Sequence, residues 1–202
     1  MERLKDYIDP SWTAIFEIGG FAERMGPIRQ VVRPGLQKLA ARLSGLLNQR
    51  DWIVFPHVAS HMRRRVNPPH ETWLALGPEK RGYKAWGHVG VFIGKDGCSV
   101  RFVVKDEAEG PKKALGTWLG EDRAVKDWFS ENGDVRDFDA VHGTVLPAPG
   151  LSRSPKELGE RLSTLKTSGL DLGWTVPFSI PVGELVGRLE RLSPLYRAAN
   201  GS

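Results

Sequence analysis

Residues 88 to 105 constrain this chain more than any other stretch. His88 to Gly94 alternates, with Val89, Val91 and Ile93 on one side. Asp96-Gly97 follows, and Ser99 to Lys105 returns as the partner strand. A two-residue Asp-Gly loop predicts a type I′ turn, because that geometry needs φ > 0 at both central positions. The hairpin's apolar side has to be buried against another layer. The pattern therefore predicts an α+β fold in two layers, an antiparallel sheet with helices packed on it.

The rest of the chain reads consistently with that layout. Ile28, Val32, Leu36, Leu39, Leu43 and Leu46 recur at helical spacing, and Pro34 predicts a kink or two abutting helices. Trp52 to Val58 and Thr72 to Leu76 are strand candidates. Pro111 to Ser130 returns to helical patterning, and Val135 to Val141 and Trp174 to Ile180 read as further strands. Ser154-Pro155-Lys156-Glu157 is a capping box with Pro at the first helical position, and it opens a helix with Leu158, Leu162 and Leu165 on one face. Pro181 opens a last amphipathic helix carrying Val182, Leu185, Val186, Leu189 and Leu192. Residues 1–202 read as one domain, with its core from Trp12 to Arg197 and frayed ends at 1–10 and 198–202.

Composition bounds the class. The 202 residues are 40% hydrophobic and 26% charged, which are ordinary globular values. The one cysteine, Cys98, excludes an internal disulfide and a cysteine-based zinc site, so a reducing, cytoplasmic setting is expected. The N-terminal residues mix charges without an apolar stretch, and no run approaches a membrane span, so neither a signal peptide nor a membrane partner is expected.

The net charge is +5 and the pI about 9.5. The segment from His57 to His88 carries +4 of it: Arg63, Arg64, Arg65, Lys80, Arg81 and Lys84 stand against Glu71 and Glu79. The same segment holds four of the five histidines: His57, His61, His70 and His88. Asn67-Pro68-Pro69 forbids regular structure there, which puts the arginines on a loop or at a strand end. A guanidinium fork grips two oxygens of a phosphate or carboxylate. Trp73, Tyr83 and Trp86 offer stacking faces. The plain alternative is a solvated basic loop whose arginines pair with acids elsewhere.

Other chemistries fit less well. His57 and His61 share a face, but three arginines beside them repel a cation, so no metal site is expected. Ser60 next to His61 lacks the Gly-x-Ser-x-Gly elbow of a nucleophile. Cys98 reads as a structural thiol. Gly77 to Lys84 lacks the Gly-Lys-[Ser/Thr] of a phosphate loop and reads as a basic turn. Glu23 and Arg24 read as solvated helix residues.

The run His57-x3-His61-x-Arg63-Arg64-x-Val66-Asn67-Pro68-Pro69-x2-Thr72-Trp73, continued by Lys80-Arg81-Gly82-Tyr83-Lys84 and His88, resembles the YktB-like family of uncharacterised bacterial proteins, the UPF0637 type. Phe16-x-Ile18-x-Gly20 with Glu23-Arg24-Met25, and Pro194-Leu195-Tyr196 near the end, extend the resemblance from about Trp12 to Arg197. The resemblance implies a compact α+β domain similar to the core of biotin ligases and class II synthetases. It also leads one to expect Lys at position 60 and a small hydroxyl residue at position 65, where this chain has Ser60 and Arg65. It brings no catalytic residue and no cofactor with it.

The leading expectation is a small anionic ligand, phosphate-bearing or nucleotide-like, with or without catalysis. Arg63, Arg64, Lys80, Arg81 and Lys84 would hold the charge. Asn67 and Thr72 would add hydrogen bonds, Tyr83 would stack, and His57, His61 or His88 would move protons. A nucleic-acid-binding module and a docking surface for an acidic protein are the alternatives.

Overall fold

The computed structural model of the chain describes residues 1–62, 66–120, 123–138 and 147–201. The helices are α1 (Phe21–Pro27), α2 (Arg33–Asn48), α3 (Glu109–Gly120), α4 (Arg123–Glu131), α5 (Pro155–Thr164), α6 (Val182–Arg191) and α7 (Ser193–Asn200). The strands are β1 (Phe55–Val58), β2 (Glu71–Gly77), β3 (His88–Gly94), β4 (Gly97–Val104), β5 (Arg136–Asp137) and β6 (Leu170–Val176). They form one six-stranded antiparallel sheet in the order β1-β2-β3-β4-β6-β5. The fold is α+β. No helix among the described residues is long and apolar enough to cross a membrane.

Period-two alternation sorts the sheet into two faces. Leu74 and Leu76 on β2, Val89, Val91 and Ile93 on β3, and Val100, Phe102 and Val104 on β4 point one way. They merge into one buried cluster to which every helix contributes, among them Leu39 and Leu43 of α2, Leu185 and Leu189 of α6, and Leu195 of α7. Trp73, Ala75, Phe92, Arg101 and Asp171 point the other way. Among the described residues the seven α-helices all join the cluster on the first face, which leaves the second to loops.

Several expectations are corrected. The hairpin turns at Lys95-Asp96, one residue early, and Gly94 pairs with Gly97. Neither turn residue has positive φ, which falls on Gly97 alone at 105°, so the turn is not type I′. The helical break comes before Pro34. A π-helical turn at Ile28–Val32 links α1 to α2, and the Arg33 N–H reaches back to the Ile28 carbonyl. Pro34 instead sits in the first turn of α2, where its missing N–H costs nothing. The strand expected from Trp174 lies at Leu170–Val176, because Pro177 cannot donate to a ladder. Gly173 interrupts its pattern for a steric reason: a Cβ there would stand 1.9 Å from the Val100 carbonyl oxygen. Of the strand expected at Val135 to Val141, Arg136–Asp137 is formed and residues 139–141 lie outside the described residues. Arg24 is buried; its Nε donates to the Ile18 carbonyl at 2.7 Å and its Nη1 to the Pro69 carbonyl at 2.9 Å, which ties the Asn67-Pro68-Pro69 turn to the N-terminal segment.

Residues near both ends are hydrogen-bonded to the body of the protein. The Leu4 N–H donates to the Ile180 carbonyl and the Val182 N–H to the Glu2 carbonyl, and Leu4 and Ile8 are fully buried. At the other end Asn200 pairs both its side-chain groups with the Gly87 backbone, at 3.0 and 2.9 Å. Burying Ile8 is worth more than a loose lead would allow. Ile8→Ala should lower unfolding free energy by about 2–5 kcal/mol in urea titration. An unchanged midpoint would mean the lead contributes nothing to the core.

Candidate functional site

The connection Pro78 to Gly87 between β2 and β3 crosses the helix-free face. Gly82, in the left-handed region at φ 69°, starts a short 3-10 turn over Tyr83–Ala85. This lays Tyr83 on Gly77, where an added Cβ would stand 3.3 Å from the Tyr83 Cβ. The Trp73 indole N–H donates to the Tyr83 hydroxyl at 3.2 Å. The His57 ring stacks on Tyr83 at 4.9 Å between centroids, and His57 Nε2 donates to the Glu79 carbonyl at 2.9 Å. Strand β1 is thereby pinned to the connection.

His61 follows the end of β1 in a left-handed conformation, φ 51°, which is uncommon for a residue with a side chain. Its Nε2 lies 2.9 Å from the buried Thr72 hydroxyl, and its ring stands edge-on to Trp73 at 5.4 Å. His57, His61, Trp73, Tyr83 and Lys84 then line a cleft of about 950 Å³, joined by Lys105 from just past β4 and by Glu107. Among the described residues neither Lys84 nor Lys105 is ion-paired. The Lys105 ammonium lies over the Trp73 ring, 5.2 Å from its centroid.

The expected residues divide accordingly. The cleft brings His57, His61, Tyr83 and Lys84 together. Thr72 is buried and serves it through His61. Asn67, Lys80 and Arg81 are exposed and do not line it; Lys80 sits over the Phe55 ring. Arg63 and Arg64, with Arg65, lie outside the described residues. His88 lies behind Tyr83, ring to ring at 5.0 Å, and is fully buried. Its Nδ1 donates to the Trp86 carbonyl and its Nε2 has no partner among the described residues. Lys105 and Glu107 were not expected; their distance in sequence from the basic segment hid them.

Beside the cleft, Arg101 is the centre of a buried network on the same face. Its guanidinium lies 4.5 Å from the Phe92 ring and 3.8 Å from the Phe138 ring. It donates to both Glu71 carboxylate oxygens at 3.2 and 2.8 Å, to Asp171 at 3.3 Å and to the Ser99 hydroxyl at 2.7 Å. Desolvation of the half-buried Asp171 outweighs the Arg101 charge and lifts its carboxyl to about 6. Cys98 is buried, which pushes its thiol up to about 12 and makes it a poor nucleophile.

Comparison with known proteins gives a consistent result. Residues 1–182 match a family model described as a domain of unknown function, DUF1054. A UPF0637 protein of Bacillus mycoides is 43% identical over 92% of this chain and 94% of its own length. One of Bacillus cytotoxicus is 30% identical over 93% of this chain and 94% of its own. One of Macrococcus caseolyticus is 34% identical over 52% of this chain and 52% of its own, so that match spans about half the length of the relative.

His88 and Asp171 give the fold two opposed pH dependences. Burial holds the His88 imidazole down at about 3 instead of 6.5, so its contribution is full above 6.5 and is lost as pH falls towards 3. Asp171 rises from 3.8 to about 6, so its contribution is full below 3.8 and is lost as pH rises to 6. From about pH 4 to pH 6 the two slopes oppose. His88→Phe should make stability relative to the parent fall with pH in that window by about 1.4 kcal/mol per unit, and Asp171→Asn should make it rise by about as much. Denaturant titrations across the window check this, and lines parallel to the parent's would contradict it.

Proposed function

The chain belongs to the UPF0637 family, the family of the DUF1054 model, and from that premise we propose that it binds a small phosphate-bearing anion in the cleft of its helix-free sheet face. The observation that carries this is the contrast between the cations of that face. Arg101 is neutralised by Glu71 and Asp171. Lys84 and Lys105 line the cleft, share it with Glu107 as its acid, and make no ion pair among the described residues. Lys84 is exposed and Lys105 half-buried, and two unpaired ammonium groups lining one concave cleft add their fields on a multivalent anion.

Arg63 and Arg64 belong to the proposal by sequence: they follow Met62, which lines the cleft. A guanidinium fork there would add two-oxygen contacts to a phosphate. His57 and His61 are the groups on the cleft wall through which protons would pass if the bound anion reacts. The setting we take is the cytoplasm, where a lone cysteine stays reduced.

Pyrophosphate tests the proposal. At a hundred times its dissociation constant it should raise the melting midpoint by about 5 to 11 °C. Lys84→Glu and Arg64→Glu should each abolish the shift while the circular dichroism of the folded chain is kept. A shift of equal size in both variants would refute it. A response only to single-stranded RNA, lost steeply with added salt, would move the reading to nucleic acid instead.

A further inference from the structure

The Trp73 indole is held by contacts with Phe92, His61 and Tyr83. Phe92, which does not line the cleft, stacks on it at 5.6 Å with the ring planes 20° apart. His61 stands at its edge at 90°, and its N–H is spent on the Tyr83 hydroxyl. Both the position and the orientation of the ring are therefore set before any ligand arrives. Lys105 does line the cleft, and its ammonium lies over the same ring. The side of the indole that faces the cleft is held by the protein's own cation.

A cation over an indole gains about two- to fivefold in affinity, whereas a nucleobase stacked on an aromatic side chain gains about five- to a hundredfold. A flat heteroaromatic ring can therefore displace the ammonium. The displaced lysine keeps its charge, has four methylenes of reach and remains in the cleft beside Lys84. A ligand with a ring at one end and a phosphate at the other would use both groups at once.

Resting on the phosphate-binding reading above, we infer that the ligand is a nucleotide whose base stacks on Trp73 in the place of the Lys105 ammonium, and that Lys105 swings from the indole to the phosphate. Lys105 is then a specificity-determining residue with two opposed effects. It competes with the ring and attracts the phosphate. Tyr83 and His57, ring against ring, line the same cleft.

Calorimetric titration of the whole chain with pyrophosphate, ribose 5-phosphate, adenosine and adenosine monophosphate separates the two ideas. The nucleotide should bind roughly five- to a hundredfold more tightly than ribose 5-phosphate. Trp73→Leu should erase that preference and leave pyrophosphate binding in place. Lys105→Met, which preserves the buried stem, should weaken the nucleotide and tighten uncharged adenosine by about two- to fivefold. If pyrophosphate binds but the nucleotide and ribose 5-phosphate bind alike, the stacking inference is overturned and the anion reading stands. If none of the phosphates binds, both are overturned. If Lys105→Met leaves adenosine unchanged or weaker, the swing of Lys105 is overturned.

Discussion

Arg101 is the charge around which the helix-free face is arranged. It lies in the middle of β4, between Val100 and Phe102, which both enter the core, and only 8% of it is exposed. A guanidinium cannot be left unpaired at such a depth, because the desolvation of an ion amounts to several kcal/mol. Glu71 meets it from β2, across the whole width of β3, and Asp171 meets it from β6. Three strands are thus held to one another by a network that the hydrophobic cluster on the other face does not touch. Phe138 closes over the guanidinium, and Phe92 lies under it.

The same arrangement reaches the cleft. Phe92 is stacked between Arg101 and Trp73, so the ion network fixes the angle of the indole. The indole N–H fixes the Tyr83 hydroxyl, and the Tyr83 ring supports His57 on one side and covers His88 on the other. Each contact is worth about 1 kcal/mol by itself. In series they hold the cleft wall in one geometry. Gly77 and Gly82 are the backbone conditions for this: the first admits the Tyr83 stem against β2, and the second takes the positive φ that turns the connection back over the sheet. A preorganised recess of this kind loses little freedom when a ligand enters.

Much of the fold was legible because it rests on periodicity. Val89, Val91 and Ile93 alternate, and they line the core side of β3; the capping box at Ser154 and Glu157 opens α5 with both of its hydrogen bonds made. What sequence missed depends on distant partners. Leu4 and Ile8 looked like a loose lead because nothing local buries them; the backbone of Glu2, Leu4 and Lys5 is tied to Val182, Ile180 and Phe178, far along the chain. Arg24 looked solvated because its acceptors are backbone carbonyls, one of them 45 residues away at Pro69. The placement of the site was legible only in outline. The basic segment supplies His57, His61, Tyr83 and Lys84, but Lys105 and Glu107 come to the cleft from the far end of β4. His88 carries a side chain of the right chemistry and is turned under Tyr83, where it serves the wall and not the cavity.

The central claim is that the two faces of the sheet have separate tasks, one holding the core and the other holding an anion. Nuclear magnetic resonance maps it most directly, by following backbone amides and the Trp73 indole N–H as pyrophosphate is added. Shifts confined to His57, His61, Trp73, Tyr83, Lys84, Lys105 and their neighbours, with α2, α6 and α7 silent, are the predicted result. Shifts centred on the helical layer, or spread evenly over the exposed lysines and arginines, would contradict it.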